Sequence, residues 1–235
     1  MPRQLTLDLG HRPALGRDDY LVTPANALVM AALDMPDAWP QGRMLLLGPE
    51  GAGKTHLASI WAAETDAIWQ EASALTPEKA DRLAVENGAV VVENADLAAG
   101  LGAAEQAMFH LWNLCAARSC WLLLTARLPP RDWGLSLPDL RSRMSAMAVT
   151  RIQPPDETLL TAVLVKLFAD RQLVAPAGLI EWLVPRMDRD LGLARHLVAA
   201  LDTETMAERR GLTRTLAGDL LAKLSAERDA TDTPD

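Results

Sequence analysis

The sequence predicts an α/β domain built on a parallel five-stranded sheet flanked by helices, followed by a small all-helical domain. Between residues 43 and 152, short runs of apolar and β-branched residues alternate with helix-length amphipathic segments. This alternation is typical of βαβ units whose sheet is covered on both faces. After residue 156 the short runs stop and apolar residues recur at helical spacing. With 235 residues, 49% of them apolar, the chain can bury a core of this kind.

The predicted elements follow one another along the chain. Pro154 and Pro155 mark the change from strands and helices to helices alone, because neither residue can join the interior of a sheet. The domain boundaries we predict are an N-terminal segment at 1–18, an α/β domain at 19–153, a helical domain at 154–226 and a disordered tail at 227–235. The five predicted strands lie in RMLLLG, AIWQEASAL, AVVVEN, CWLLLTA and AVTRI.

Composition excludes several classes of function. The formal net charge is −8, which argues against a dominant sequence-independent grip on DNA. The apolar runs are too short to cross a bilayer, and the N-terminus lacks the apolar core of a signal peptide, so we expect a cytoplasmic protein. Cys115 and Cys120 have no second pair and no histidine cluster beside them, so neither zinc nor a disulfide framework is predicted.

Residues 48 to 55, GPEGAGKT, match the phosphate-binding pattern G-x-x-x-x-G-K-S/T between a predicted strand and a predicted helix. Glycines let the backbone N–H groups point at the β-phosphate, and the positive end of the helix dipole also attracts the phosphate. We expect Lys54 to reach the β- and γ-phosphates and the Thr55 hydroxyl to ligate Mg²⁺. The alternative is a glycine-rich turn without a ligand. The predicted nucleotide-binding residues here are Gly48, Pro49, Glu50, Gly51, Ala52, Gly53, Lys54, Thr55 and the adjoining His56, from which no catalysis is expected.

The run AVVVENAD, residues 89 to 96, ends in a carboxylate followed by an amide. A strand that follows a phosphate loop normally ends in two acids, one for Mg²⁺ and one that orients the attacking water. Here Glu93 takes the first position and Asn94 the second. Glu93 joins Thr55 as a predicted Mg²⁺ ligand, and Thr125, at the end of the next strand, is placed to meet the γ-phosphate or a water. We therefore expect weak or absent hydrolysis.

These ordered motifs resemble those of the AAA+ ATPases, within them the bacterial replication initiator DnaA, and most closely the Hda family of DnaA-related regulators. The resemblance covers nearly the whole chain, from RDDYLVTPAN to LLAKL. It implies a helical lid and bound ADP or ATP with Mg²⁺. The chain departs from the initiator in stopping after the lid, so we expect no DNA-binding domain there. Residue by residue it makes Thr125 the sensor 1 residue, Arg143 an arginine finger acting in trans, and Arg189 the sensor 2 arginine acting in cis.

The resemblance also places adenine recognition around residues 19–22, with Tyr20 and Leu21 as the residues we assign to it. Arg141 and Arg195, which flank the two implied arginines, are expected to be surface charges.

The segment QLTLDL, residues 4 to 9, is similar to the peptide by which replication proteins dock on the sliding clamp. Gln4 offers an amide for hydrogen bonds, and Leu5, Leu7 and Leu9 offer apolar anchors. The alternative is a short strand that packs on the chain's own core.

The function these observations favour is a regulator that docks on the clamp and stimulates hydrolysis of initiator-bound ATP, preventing re-initiation. Its partners would be DnaA and the clamp, which would associate it with the nucleoid, with DNA contacted only indirectly or weakly and self-association left open. One alternative is a self-sufficient P-loop ATPase or kinase. Another is an initiator paralogue that binds origin DNA directly.

Overall fold

The computed structural model describes residues 16–17, 20–23, 26–208 and 211–231. Five parallel strands form one sheet in the order β2-β3-β4-β1-β5. The predicted fold class is confirmed. The strands are β1 Arg43–Leu47, β2 Ile68–Glu71, β3 Ala89–Glu93, β4 Trp121–Ala126 and β5 Ala148–Arg151; the helices around the sheet are α1 Ala27–Leu33, α2 Lys54–Thr65, α3 Pro77–Leu83, α4 Gly102–Ala117 and α5 Pro138–Ser145.

The central strands are apolar throughout because both faces of the sheet are covered. Alternate residues of β1 divide between two cores: Leu45 packs on the side of α3, α4 and α5, and Leu46 on the side of α1 and α2. The same alternation separates Val90 from Val91 in β3. This arrangement brings the carboxyl ends of β1, β3 and β4 together at one edge, where parallel α/β sheets bind ligands.

The helical lid follows the sheet and has a core of its own. Asp156 caps its first helix, since its carboxylate accepts a hydrogen bond from the Leu159 N–H at 2.7 Å. Leucines at helical spacing fill the lid core, among them Leu160, Leu197 and Leu221. The lid helices are α6 Glu157–Asp170, α7 Leu179–Leu183, α8 Leu191–Glu208 and α9 Arg214–Thr231.

The last helix corrects one prediction. The sequence predicts a disordered tail from residue 227, but α9 continues to Thr231. Arg228 explains the difference, because its guanidinium pairs with Asp188 and with Asp190, the latter at 3.0 Å. These ion pairs hold the end of α9 against the segment just before α8, which begins at Leu191. Residues 232–235 lie outside the described part of the chain. Within that part, no helix is long and apolar enough to cross a membrane.

Candidate nucleotide site

The phosphate loop joins β1 to α2 and depends on its glycines. Gly51 and Gly53 have φ values of 69° and 99°, in the left-handed region that other residues rarely adopt. A Cβ atom on Gly51 would also lie 2.0 Å from the carboxylate of Asp190. The glycine spacing therefore serves both the curl of the loop and its close contact with the lid.

Lys54 lies inside this curl. Its side-chain Nζ donates hydrogen bonds to the carbonyl oxygens of Gly48 and Pro49, both at 2.8 Å. Lys54 is 7% exposed, and burial lowers its pKa, against the opposing effect of Glu93 and Asp96. Because its hydrogen bonds go to neutral carbonyls, its charge is available to an anion at the loop.

Two hydroxyls hold the carboxylate at the end of β3. Thr55 donates to Glu93 Oε1 at 2.6 Å, and Thr125 donates to Glu93 Oε2 at 2.7 Å. The Thr125 hydroxyl also accepts a hydrogen bond from the Asn94 N–H at 2.9 Å. Thr125 is fully buried, so the structure brings it to Glu93 and Asn94, and not to the cavity surface where a γ-phosphate would contact it.

Asn94 lies at the cavity surface beside Glu93. Its φ of 54° is left-handed, a conformation that asparagine adopts more readily than most residues. Its amide nitrogen is 3.4 Å from Glu71 Oε2, at the end of the neighbouring strand β2. An amide at this point can orient a ligand or a water through hydrogen bonds, but it has no basic site for a proton.

The pair of Thr55 and Glu93 fits a magnesium site. A hydroxyl and a carboxylate 2.6 Å apart are hard oxygen donors at the floor of the cavity. Mg²⁺ in nucleotide sites is usually held by one or two protein oxygens together with phosphates and waters. Among the residues that the structure describes, no cluster of three or more His, Cys, Asp or Glu side chains could hold a metal alone. Magnesium would therefore depend on nucleotide oxygens here.

The lid closes over the phosphate loop. The Leu191 N–H donates to the Gly51 carbonyl at 2.9 Å, so the start of α8 rests directly on the loop. Asp190 caps this helix through the N–H groups of Gly192 and Leu193, at 2.6 and 3.0 Å. A cavity of about 730 Å³ remains between loop and lid. It is lined by six of the predicted loop residues, Glu50, Gly51, Gly53, Lys54, Thr55 and His56.

A second cavity of about 530 Å³ shares His56 and Arg195 with the first. Tyr20 and Leu21 line it, so the structure brings these two predicted adenine-site residues to the cavity that adjoins the first one. The Tyr20 ring meets the His56 ring edge-on, with centroids 5.1 Å apart. One continuous site thus has a polar lobe at the loop and a more apolar lobe under α6 and α8.

The two lid arginines lie in the opposite surroundings to those predicted, since the cavity contains Arg195 and not Arg189. Arg189 has a side chain that is 60% exposed and pairs with Glu157 at 3.5 Å, away from the cavity lining. Arg195 is half-buried where the two lobes meet, and its Nη2 lies 2.8 Å from His56 Nδ1. Burial lowers the pKa of Arg195. The expectation that Arg195 is a surface charge is therefore wrong.

Arg143 lies on α5, outside the lining of the chain's own cavity. Its guanidinium sits 4.9 Å from the centre of the Phe109 ring, and Arg141 on the same helix is exposed. No sequence pattern identified the residue that anchors this helix. Buried Glu105 accepts hydrogen bonds from the backbone N–H groups of Ser136 and Leu137, each at 3.0 Å, just before α5 begins.

A second residue that sequence reasoning missed is Arg127, just beyond β4. Its side chain lines the phosphate lobe and donates to Glu50 Oε2 in the loop at 2.9 Å. Of the remaining predicted residues, Ala52 is buried in the core beneath the loop. The predicted clamp-binding residues Gln4, Leu5, Leu7 and Leu9 lie outside the described residues.

Comparison with solved structures identifies the fold. Domain III of the Thermotoga maritima replication initiation protein DnaA matches with a TM-score of 0.73 and 17% identity, over 90% of this chain and 97% of that one. The chain has a DnaA-like AAA+ fold. The initiator DnaA bound to AMPPCP and single-stranded DNA matches with a TM-score of 0.67 and 14% identity, over 84% of this chain and 69% of that one.

The AAA domain of another protein shares the architecture. The FIGL-1 AAA domain in complex with ADP matches with a TM-score of 0.61 and 15% identity, over 83% of this chain and 78% of that one. No protein-family model matches the chain. At these identities the likeness establishes the AAA+ architecture, and the roles of individual residues depend on the geometry described above.

Proposed function

We propose that this chain is a DnaA-related regulator of replication initiation that holds an adenine nucleotide and promotes hydrolysis of ATP bound to the initiator. The observation that carries the proposal is an intact phosphate loop beside a strand that ends in Glu93 and is followed by Asn94. The first feature favours tight binding of phosphates, and the second removes the acid that would activate water. Together they suit a nucleotide kept as a ligand.

The two lobes of the site divide the nucleotide between them. Backbone N–H groups of the loop and Lys54 would bind the phosphates. Thr55 and Glu93 would hold Mg²⁺, which when bound neutralises charge on the phosphate oxygens. The nucleoside would occupy the lobe lined by Tyr20 and Leu21. Arg195, where the lobes meet, would link the position of the lid to the bound ligand.

Slow turnover follows from the groups around the terminal phosphate. The Asn94 amide cannot take a proton from an attacking water at neutral pH. Glu93 already accepts hydrogen bonds from two hydroxyls, at 2.6 and 2.7 Å, so its oxygens are directed at the loop and at β4. General bases contribute factors of roughly 10² to 10⁴ to such reactions. Their loss turns a hydrolase site into a binding site.

The catalytic contribution would come from Arg143 and act on another molecule. The arginine lies outside its own cavity, on a helix whose other arginine is exposed. An arginine that reaches a neighbour's phosphates stabilises transition-state charge, with rate effects of about 10³ to 10⁵ in GTPases. The Phe109 ring beneath the guanidinium limits the orientations of the side chain. This arrangement supports a trans role for Arg143.

The central experiment measures hydrolysis of ATP bound to DnaA, with DNA-loaded clamp and the full chain present. We expect stimulation by the wild type and its loss in Arg143→Ala, with nucleotide binding by the variant unchanged. Arg141→Ala is the matched control, because it removes an exposed arginine from the same helix. Equal stimulation by wild type and Arg143→Ala would contradict the proposal.

The clamp hypothesis has a separate test because its residues lie in the N-terminal segment. Changing Gln4 and Leu7 to alanine should abolish co-elution with the clamp and leave nucleotide affinity unchanged. Thr6→Ala is a suitable control, since Thr6 lies between two of the proposed anchors. Retained co-elution of the double variant would refute docking through this segment. Strong, salt-dependent DNA binding without clamp or initiator would instead favour an initiator paralogue.

A further inference from the structure

Arg127 is a cation of the phosphate lobe to which the AAA+ motifs above assign no role. It follows β4 by one residue, and its backbone N–H donates to Asp96 Oδ2 at 3.1 Å. This contact joins the segment that follows β4 to the turn that follows β3, at the carboxyl edge of the sheet. The side chain, 39% exposed, lines the same cavity as Lys54 and Asn94.

The partner of Arg127 belongs to the phosphate loop. Arg127 Nη1 donates to Glu50 Oε2 at 2.9 Å, and the Glu50 side chain is 58% exposed. Both charges act on Lys54, since Glu50 raises the pKa of Lys54 and Arg127 lowers it, in addition to the larger effect of burial. Arg127 therefore lies within electrostatic reach of the ammonium group that would bind the phosphates.

This ion pair is one that a phosphate can displace. An exposed pair between single charges contributes little to stability, because water screens it and ordering the side chains opposes it. A terminal phosphate carries more negative charge than a carboxylate, and the planar guanidinium binds it with two parallel hydrogen bonds. Exchange of Glu50 for a phosphate is thus favourable whenever a phosphate reaches Arg127.

The position of Arg127 determines which phosphate that is. The loop and Lys54 hold the β-phosphate, and the next phosphate lies beyond it, toward the ends of β3 and β4. Arg127 lies at that edge, and Asn94 lines the same part of the cavity. A diphosphate would end before this edge. Its complex would leave the pair of Arg127 and Glu50 intact.

We propose that Arg127 binds the terminal phosphate of a nucleoside triphosphate by leaving Glu50, so that the site discriminates triphosphate from diphosphate without hydrolysis. The inference rests on the proposed function, because it assumes that the loop binds a nucleotide. It adds the residue through which the chain distinguishes the two ligands. Release of Glu50 from this ion pair would also leave its negative charge without Arg127 at the surface of the phosphate loop.

The test compares affinities of the full chain for ADP and for AMPPCP, in the presence of Mg²⁺, by calorimetry. Arg127→Ala should weaken AMPPCP binding by about tenfold or more and ADP binding by less than about twofold. Glu50→Gln should strengthen AMPPCP binding relative to ADP binding, because Arg127 then has no carboxylate to leave. The matched control is Arg131→Ala, in the same turn, with a side chain that is 82% exposed.

The outcomes separate the two proposals. If Arg127→Ala weakens the binding of AMPPCP and of ADP equally, or weakens neither, the proposed discrimination is overturned. The proposal that the loop binds a nucleotide still stands in that case if Lys54→Ala abolishes the binding of both ligands. A wild-type chain that binds neither ligand overturns the proposed function and this inference together. Stronger AMPPCP binding by Arg127→Ala would show that Glu50, and not Arg127, governs the site.

Discussion

The hydroxyl of Thr55 donates to Glu93 at 2.6 Å and so joins the phosphate loop to the end of β3. On the other side of the same carboxylate, Thr125 donates from the end of β4. Three elements that are distant in the chain thus meet at one buried acid. Asn94 follows that acid directly, and its backbone N–H is bound to Thr125. The backbone of Asn94 is therefore fixed at Thr125, while its side-chain amide lies 3.4 Å from Glu71 Oε2.

Replacing Asn94 by aspartate should restore part of the missing water activation. Aspartate tolerates the left-handed backbone at this position nearly as well as asparagine. We expect Asn94→Asp to raise the chain's own ATP hydrolysis by about tenfold or more, since general bases contribute at least that much. Asn94→Ala is the control and should show no gain. Identical rates for the two variants would exclude the assigned role of this position.

Arg195 and Arg189 offer a direct comparison between a cavity arginine and an exposed one. Arg195→Ala removes the cation between the two lobes and the bond to His56, so ADP affinity should fall by about tenfold. Arg189→Ala should change it by less than about twofold, because its ion pair with Glu157 is exposed. Isothermal titration calorimetry measures both. The reverse order of effects would return the sensor 2 role to Arg189.

Glu105 is expected to be the most sensitive position for the placement of α5. Burial alone would raise its pKa, but hydrogen bonds from Ser136, Gly100 and Leu137 outweigh this and hold the pKa below its usual value. In Glu105→Gln a side-chain NH₂ group replaces one of the two carboxylate oxygens, so it faces N–H groups that need an acceptor. The substitution should lower the free energy of unfolding, measured by urea titration, by about 1–3 kcal/mol. Exposed Glu86→Gln is the control and should stay within about 0.5 kcal/mol.

The contribution of Glu105 to the stability of the fold depends on pH. Because the folded pKa of Glu105 is lowered, its contribution to stability is present above the unfolded value of 4.5 and is lost as pH falls through the folded pKa. Glu105→Gln should therefore be less acid-sensitive than the wild type below about pH 4.5. Parallel acid unfolding curves for the two proteins would contradict the assignment.

Tyr20 reports on the nucleoside lobe at alkaline pH. Burial raises its pKa to about 12, from 10.0 in the unfolded chain. The stability that this group contributes is thus fully present below pH 10 and is lost, by about 1–2 kcal/mol, as pH rises toward 12. Tyr20 is the only tyrosine in the sequence, so phenolate absorbance measures its titration directly. A midpoint near pH 10 in the folded protein would place Tyr20 in water.

The sequence predicted the three central strands β1, β3 and β4 well because their burial leaves a plain apolar pattern, whereas the edge strands β2 and β5 are partly exposed. Runs such as AVVVE and WLLLTA are apolar on both faces, which only a covered parallel strand requires. The helix Ala27–Leu33, in the segment before the first strand, was not predicted. The predicted disordered tail begins too early, because the ion pairs of Arg228 with Asp188 and Asp190 depend on tertiary contacts.

The site was predictable at the loop and much less so elsewhere. The motif fixes Lys54 and Thr55 because the chemistry of phosphate binding dictates local spacing. The choice between Arg189 and Arg195 depends on how α8 lies on the loop, through the bond from Leu191 to Gly51. Arg127 and Glu50 are far apart in the chain, and no periodicity connects them. Such contacts are set by the closed arrangement of loops at the sheet edge.

We expect the site to hold its nucleotide without hydrolysing it. The decisive measurement is single-turnover hydrolysis of labelled ATP by the isolated full chain. We predict that ATP stays intact while bound, that Lys54→Ala abolishes the binding, and that hydrolysis appears only when the initiator supplies the ATP that Arg143 reaches. Steady hydrolysis by the isolated chain, abolished by Lys54→Ala and unaffected by Arg143→Ala, would contradict the account and identify a self-sufficient ATPase.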